Sequence, residues 1–118
     1  MADLIYANGK LWTAVGILAT HPGRLPERLI QACHDGLVFV PEPALPSHLT
    51  PVYKRVWERV TSRKESQQEG AFAPSIRSLS EEDAVAVAND IVELAYRVGE
   101  VVKDDIGRRS RRYTQPGA

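Results

Sequence analysis

The strongest constraint on the fold is a long amphipathic segment near the C-terminus, residues 80–105. Its apolar residues recur every three or four positions, which is the spacing of one helix face. They are Ala84, Val87, Ala88, Ile91, Leu94, Ala95, Val98, Val101 and Val102. Val85, Val92 and Tyr96 widen this arc beyond the stripe of about 100° that a surface helix buries. The segment therefore predicts a helix that either lies at the centre of the fold or keeps one apolar face for binding.

The sequence also predicts where this helix begins. Ser80 precedes Asp83 by three residues, a capping-box pattern with aspartate in place of the usual glutamate or glutamine. The acids of residues 81–83 suit the positive end of the helix dipole. Further along, Glu93 and Arg97 are spaced to form an ion pair across one turn.

Three more helices are predicted, at residues 3–20, 26–38 and 51–62. Asp3 is the predicted cap of the first and Thr50 the predicted cap of the third, because short polar side chains satisfy the free N–H groups of a first turn. The second and third each begin with a proline, which suits the first helical position.

The connections between these helices are irregular. Leu37–Val40 is apolar but too short for periodicity to distinguish a last helical turn from a short strand. Residues 41–50 carry three prolines and predict a stiff, extended connector. Residues 61–71 are polar and aperiodic. Because no second strand-like run is available for pairing, the prediction is an all-α fold, a single small domain of four main helices resembling a bundle.

The chain has 118 residues, which predicts one domain. We expect a helical domain over residues 1–107, followed by a basic, flexible tail over residues 108–118. Large apolar side chains on the predicted helix faces should form the core. The residues predicted to be mostly buried are Trp12, Phe39, Tyr53, Trp57, Ile91, Leu94 and Val98.

Composition excludes several classes of protein. Fifteen basic and fifteen acidic residues give a net charge of zero, unlike a wholly basic or acidic disordered chain. No apolar run approaches the ~20 residues of a membrane span, and the N-terminus does not resemble a secretory signal. Cys33 is the only cysteine, so neither an intramolecular disulfide nor a cysteine-rich zinc site can form. We therefore expect a cytoplasmic protein that binds neither membrane, metal nor cofactor.

The leading functional hypothesis is a small, non-catalytic interaction or regulatory protein. It rests on the excess apolar arc of the last helix, because no catalytic motif stands out elsewhere in the sequence. This arc predicts that the chain forms a homo-oligomer or binds a protein partner. The residues predicted to contribute to that interface are Val85, Val92, Tyr96 and Gly99.

A second hypothesis is nucleic-acid binding through the basic C-terminal run. Its four arginines could contact phosphates, and its tyrosine could stack on a base. The candidate residues are Arg108, Arg109, Arg111, Arg112 and Tyr113. The neighbouring acidic helix, which would repel a phosphate backbone, argues against this hypothesis.

A third hypothesis comes from Arg28 and His34, which have five residues between them. This spacing resembles the Arg-x(4–6)-His motif of HEPN-type ribonucleases, a family of compact, helical, dimeric proteins. The resemblance implies metal-independent RNA cleavage, with Arg28 stabilising the phosphate and His34 assisting attack by the 2′-hydroxyl. It covers seven residues, and Leu29 stands where the family often has a polar residue.

Overall fold

The computed structural model describes the backbone of residues 2–63 and 72–114, and the side chains of residues 2–63 and 72–108. Across these residues the chain forms five α-helices and contains no strand. The helices are α1 (Ala2–Thr20), α2 (Leu25–Asp35), α3 (Thr50–Val60), α4 (Phe72–Arg77) and α5 (Glu81–Thr114). The all-α prediction is therefore confirmed, with four main helices and the short α4 in addition.

The predicted helix caps have different outcomes. Ser80 Oγ accepts a hydrogen bond from the backbone N–H of Asp83 at 3.0 Å, so the cap of α5 is confirmed. Asp3 is not a cap, because α1 already begins at Ala2 and Asp3 lies in its first turn. Thr50 is not a cap either, because a 3₁₀ turn at Ser47–Leu49 leads directly into α3. The backbone N–H of Thr50 is therefore satisfied by the carbonyl of Ser47.

The connector after α2 is more folded than predicted. Leu37–Phe39, where the sequence left a last helical turn or a short strand open, forms a 3₁₀ turn, and α2 ends at Asp35, three residues before its predicted end. The proline-rich connector of residues 41–50 is not simply extended, since it contains 3₁₀ turns at Glu42–Ala44 and Ser47–Leu49. Its leucines lie in the core and hold these turns against the helices.

The long helix α5 lies at the centre of the packing, in contact with α1, α2 and α3. Its direction relative to α3 follows from two ion pairs: Arg55 contacts Asp90 at 2.9 Å, and Arg59 contacts Asp83 at 3.8 Å. Moving towards the C-terminus of α3 therefore means moving towards the N-terminus of α5, and the two helices are antiparallel. The predicted pair of Glu93 and Arg97 is also present, at 2.8 Å.

The helix α1 is antiparallel to α5 as well. Gly99 lies beside Asn8 and Trp12 in the first half of α1. The residues just after α1 line a cavity together with the first turn of α5. Since an α-helix rises about 1.5 Å per residue, the first residue of α1 is level with about residue 107 of α5. The last two turns of α5 therefore project beyond α1.

Most of the predicted core is confirmed, but two aromatic residues are not in it. Tyr53, Ile91, Leu94 and Val98 are buried and Trp57 is half-buried. In contrast, Trp12 is 46% exposed and Phe39 is 50% exposed. The buried face of α1 is built from leucines and alanines at three- and four-residue spacing, and Trp12 falls outside it. Phe39 instead lies at the surface, where the Lys10 ammonium stands 5.0 Å from its ring centre.

Two exposed glycines of α1 provide a test of its surroundings. A Cβ placed on Gly9 or on Gly16 would have open space around it. Apart from the backbone of α1 itself, no atom of the described residues lies within 4 Å of it. Because alanine is favoured over glycine inside helices, we expect Gly9→Ala and Gly16→Ala each to stabilise the monomer by about 0.5–1 kcal/mol. Thermal unfolding followed by circular dichroism would measure this. A lower melting temperature would contradict the open position of these residues.

Candidate interaction surface

Four large apolar residues of α5 are exposed on one side of the helix. Val85, Val92, Tyr96 and Ile106 are 53%, 41%, 61% and 51% exposed. At 3.6 residues per turn, their positions fall within about 80° of one another around the helix axis. Three of them were predicted to belong to the interface, whereas Ile106 was missed. Its seven-residue spacing in the series 85, 92, 99, 106 was the signal that could have found it.

Gly99 lies half-buried at the border between α5 and α1. A Cβ placed on Gly99 would lie 3.5 Å from Asn8 Oδ1 and 3.6 Å from Trp12 Nε1, which are ordinary contact distances. Ile5 is also exposed and lies two turns before Trp12 on the same side of α1. We refer to the exposed apolar residues of both helices, together with Gly99, as the α1–α5 surface. They are Ile5, Trp12, Val85, Val92, Tyr96, Gly99 and Ile106.

A cavity of about 310 Å³ lies at one end of this surface, between the starts of α2 and α5. Its walls are mainly apolar, while a basic and an acidic residue, Arg24 and Glu81, also line it. The lining residues are Arg24, Leu25, Pro26, Leu79, Glu81, Ala84 and Val85. Val85 therefore belongs both to the cavity and to the α1–α5 surface, so a side chain lying along α5 could enter the cavity.

A separate cluster is formed by Tyr6 and Lys10 of α1 with Phe39 of the 3₁₀ turn after α2. The Lys10 ammonium lies 5.7 Å from the ring centre of Tyr6 and 5.0 Å from that of Phe39, within the range of cation–π attraction. The cluster is not part of the α1–α5 surface, because Tyr6 and Lys10 lie well around the helix from Trp12.

The two ends of α5 carry clusters of opposite charge, although charged residues also lie between them. Glu81, Glu82 and Asp83 are exposed in the first turn. The predicted end near residue 105 is corrected by the structure, in which the helix backbone continues through Thr114 and includes the basic run of residues 108–112. The side chain of Arg108 is exposed. Those of Arg109, Arg111, Arg112 and Tyr113 lie outside the described side chains.

Arg28 and His34 have different neighbours in the structure. They lie six positions apart on α2, which turns their side chains about 120° away from each other. Arg28 Nη1 donates a hydrogen bond to the carbonyl of Leu18 at 2.7 Å, near the end of α1. The His34 ring packs edge-on against Phe72, with ring centres 5.4 Å apart. Both side chains thus make contacts that hold helices together.

Cys33 is buried in the core, and this burial raises the pKa of its thiol to about 12. At neutral pH the thiol is therefore protonated and unreactive. Among the described residues, no three His, Cys, Asp or Glu side chains are grouped so as to hold a metal ion. Nor does the described part of the chain contain a helix long and apolar enough to cross a membrane.

The buried thiol predicts a specific pH dependence. Its pKa is higher in the folded state than the ordinary value of 9.0, so its contribution to stability is complete below about pH 9 and declines between pH 9 and 12. Burial also raises the pKa of Tyr53, which acts in the same direction at alkaline pH. Denaturant unfolding between pH 8 and 10.5 should therefore show a steeper loss of stability for the natural chain than for Cys33→Ala. Equal slopes would contradict this assignment.

Comparison of the chain with protein-family models, with curated proteins and with solved structures found no match.

Proposed function

We propose that this chain is a small cytoplasmic interaction protein without catalytic activity, which binds another protein or a second copy of itself through the α1–α5 surface. The observation that carries the proposal is the grouping of exposed apolar residues on two adjacent helices. Single exposed apolar residues are common on protein surfaces, but several of them on one side of neighbouring helices are typical of an interface.

The composition of the surface supports this proposal. Its most prominent side chains are Trp12 and Tyr96, and these residue types are enriched among the residues that dominate binding energy at interfaces. Trp12 is not required to fill the core, because the buried face of α1 is complete without it. The surface is also bordered by charged residues, including Glu81 and Glu93, as the rim of an interface typically is.

The test is to place a charge on the surface without disturbing the fold. We expect Val92→Asp and Tyr96→Asp to remain folded but to lose the complex, because a carboxylate at the centre of an interface would lose its water without gaining a partner. Val38→Asp is the matched control, since Val38 is an equally exposed valine on a different part of the molecule. Light scattering after size exclusion and affinity capture with each variant as bait would measure binding, and circular dichroism would measure folding.

The outcomes separate binding from structure. Loss of the complex in Val92→Asp but not in Val38→Asp supports the proposal. If all three variants and the natural chain behave identically in both assays, the α1–α5 surface is not a binding site. If Val92→Asp unfolds the chain, Val92 belongs to the core and the proposal is wrong.

A second candidate function is nucleic-acid binding, which is favoured by the helical backbone of residues 108–114. The helix backbone that carries the basic run of residues 108–112 projects beyond α1, and arginines contact phosphates readily. Binding of labelled RNA or DNA should then weaken steeply between low and physiological salt. It should also be lost when Arg108, Arg109, Arg111 and Arg112 are all replaced by glutamine. Binding that does not depend on salt would rule this function out.

A further inference from the structure

We propose that the partner covering the α1–α5 surface is a second copy of this chain, with the two α5 helices antiparallel about a two-fold axis level with residues 95 and 96. This inference rests on the proposed function and names the partner. Such a symmetric arrangement requires a surface that is complementary to itself when its direction is reversed. The exposed apolar residues of α5 and the charge clusters at its two ends meet this requirement.

The apolar positions of α5 are symmetric along the helix. Val85 and Ile106 lie equally far from the point between residues 95 and 96, as do Val92 and Gly99. In the antiparallel pair, Val85 of one copy is therefore level with Ile106 of the other, to within one turn. Val92 is level with Gly99, where Trp12 of α1 borders the helix. Their seven-residue spacing is also the repeat that keeps two helices in contact along a seam.

The charge clusters at the two ends of α5 have the same symmetry, and they determine the direction. The acidic first turn, residues 81–83, is centred on residue 82, and the basic run, residues 108–112, is centred on residue 110. The midpoint of these two centres is residue 96. An antiparallel pair therefore places the acids of each copy level with the arginines of the other. A parallel pair would place acids beside acids and arginines beside arginines, which is unfavourable. Shifting the antiparallel pair by seven residues would separate the opposite charges.

The projecting end of α5 fits this arrangement. Ile106 is exposed near the level at which α1 begins, so α1 does not cover the helix beyond it. In the pair, Ile106 of one copy is level with Val85 of the other, beside the cavity of about 310 Å³. The cavity has mainly apolar walls and can receive an isoleucine side chain. Trp12, next to Gly99, extends the contact onto α1 because Val92 of the second copy lies at that level.

The first experiment uses charge reversal to test the direction of pairing. The natural chain is expected to sediment as a dimer. The pair of substitutions Glu81→Arg with Glu82→Arg should weaken the dimer by about tenfold or more, because basic residues would then face basic residues. The pair Arg109→Glu with Arg111→Glu should weaken it similarly. Combining all four substitutions in one chain should restore the dimer, because the acids and bases have exchanged places.

The second experiment tests the position of the axis. In a Cys33→Ala background, Tyr96→Cys should form a disulfide-linked dimer under mild oxidation, because residue 96 lies next to its counterpart across the axis. Val38→Cys in the same background is the control and should remain monomeric on a denaturing gel. Efficient cross-linking through Val38→Cys with none through Tyr96→Cys would overturn the proposed geometry.

The result for the natural chain separates this inference from the proposed function. A monomer at all concentrations, combined with capture of another protein that Val92→Asp abolishes, would overturn the second copy as partner and leave the α1–α5 surface as a binding site. A dimer that Val92→Asp does not weaken would overturn both. A dimer that the four combined substitutions fail to restore would show that the helices are not antiparallel in this register.

Discussion

Replacing Ile91 with aspartate is expected to unfold the chain, whereas the same substitution at the next residue, Val92, leaves it folded. The two side chains point about 100° apart on α5. Ile91 is fully buried and packs in the core, while Val92 is 41% exposed. Aspartate at position 91 would place a carboxylate among apolar side chains without a partner. This costs several kcal/mol, comparable with the total stability of about 5–15 kcal/mol that a domain has.

A milder substitution allows the effect of Ile91 to be measured when the aspartate variant does not fold. Ile91→Ala removes buried methyl groups and should lower the free energy of unfolding by about 2–5 kcal/mol, while Val92→Ala should change it by less than about 1 kcal/mol. Urea unfolding of the three chains, followed by circular dichroism, would give both values. Similar losses at the two positions would mean that α5 is rotated differently about its axis.

Gly36→Val is expected to separate the end of α2 from α1. A Cβ placed on Gly36 would lie 2.8 Å from both the Cβ of Ala14 and the carbonyl oxygen of Lys10. These atoms belong to the backbone of α1 or lie directly next to it, so they cannot move aside as the end of a flexible side chain could. The φ angle of Gly36 is −128°, which other residues also adopt. Its role is therefore to allow close approach of the two helices, and not to relieve backbone strain.

The expected size of this effect follows from overpacking of a core. Gly36→Ala should destabilise the chain by about 1–3 kcal/mol, and Gly36→Val by more, because its two methyl groups add to the clash. Gly16→Ala is the matched control, since its Cβ would meet no atom within 4 Å and alanine is favoured in a helix. The difference in melting temperature between the two alanine variants measures the cost of the contact. Equal melting temperatures would show that α1 and the end of α2 do not touch at Gly36.

Local features of the structure could be predicted because their causes lie close together in the sequence. The cap at Ser80 depends on a residue three positions away, and the ion pair of Glu93 with Arg97 on one four positions away. The buried stripe of α5 depends on the spacing of apolar residues within one helix. The short helix α4 was missed because six residues, including Pro74, are too few to show a helical period.

The candidate interaction surface could be predicted in part. The width of the apolar arc on α5 indicated Val85, Val92 and Tyr96, and all three are exposed. The same reasoning placed Trp12 in the core, because large apolar residues are usually buried. Its actual place depends on α5, which packs against the leucines of α1 and brings Gly99 beside Trp12 from a distance of 87 positions along the chain.

The sequence by itself determined that this chain is helical, where its longest helix begins and which face of that helix is apolar. These properties follow from hydrogen bonds and side-chain spacing within a few residues. Only the tertiary structure decided which part of each apolar face is covered. It placed Ile91 among other helices and left Val92 exposed, and it brought Gly36 against Lys10 and Asp90 to Arg55. Such contacts depend on how several helices share one core, which the pattern of any single helix does not contain.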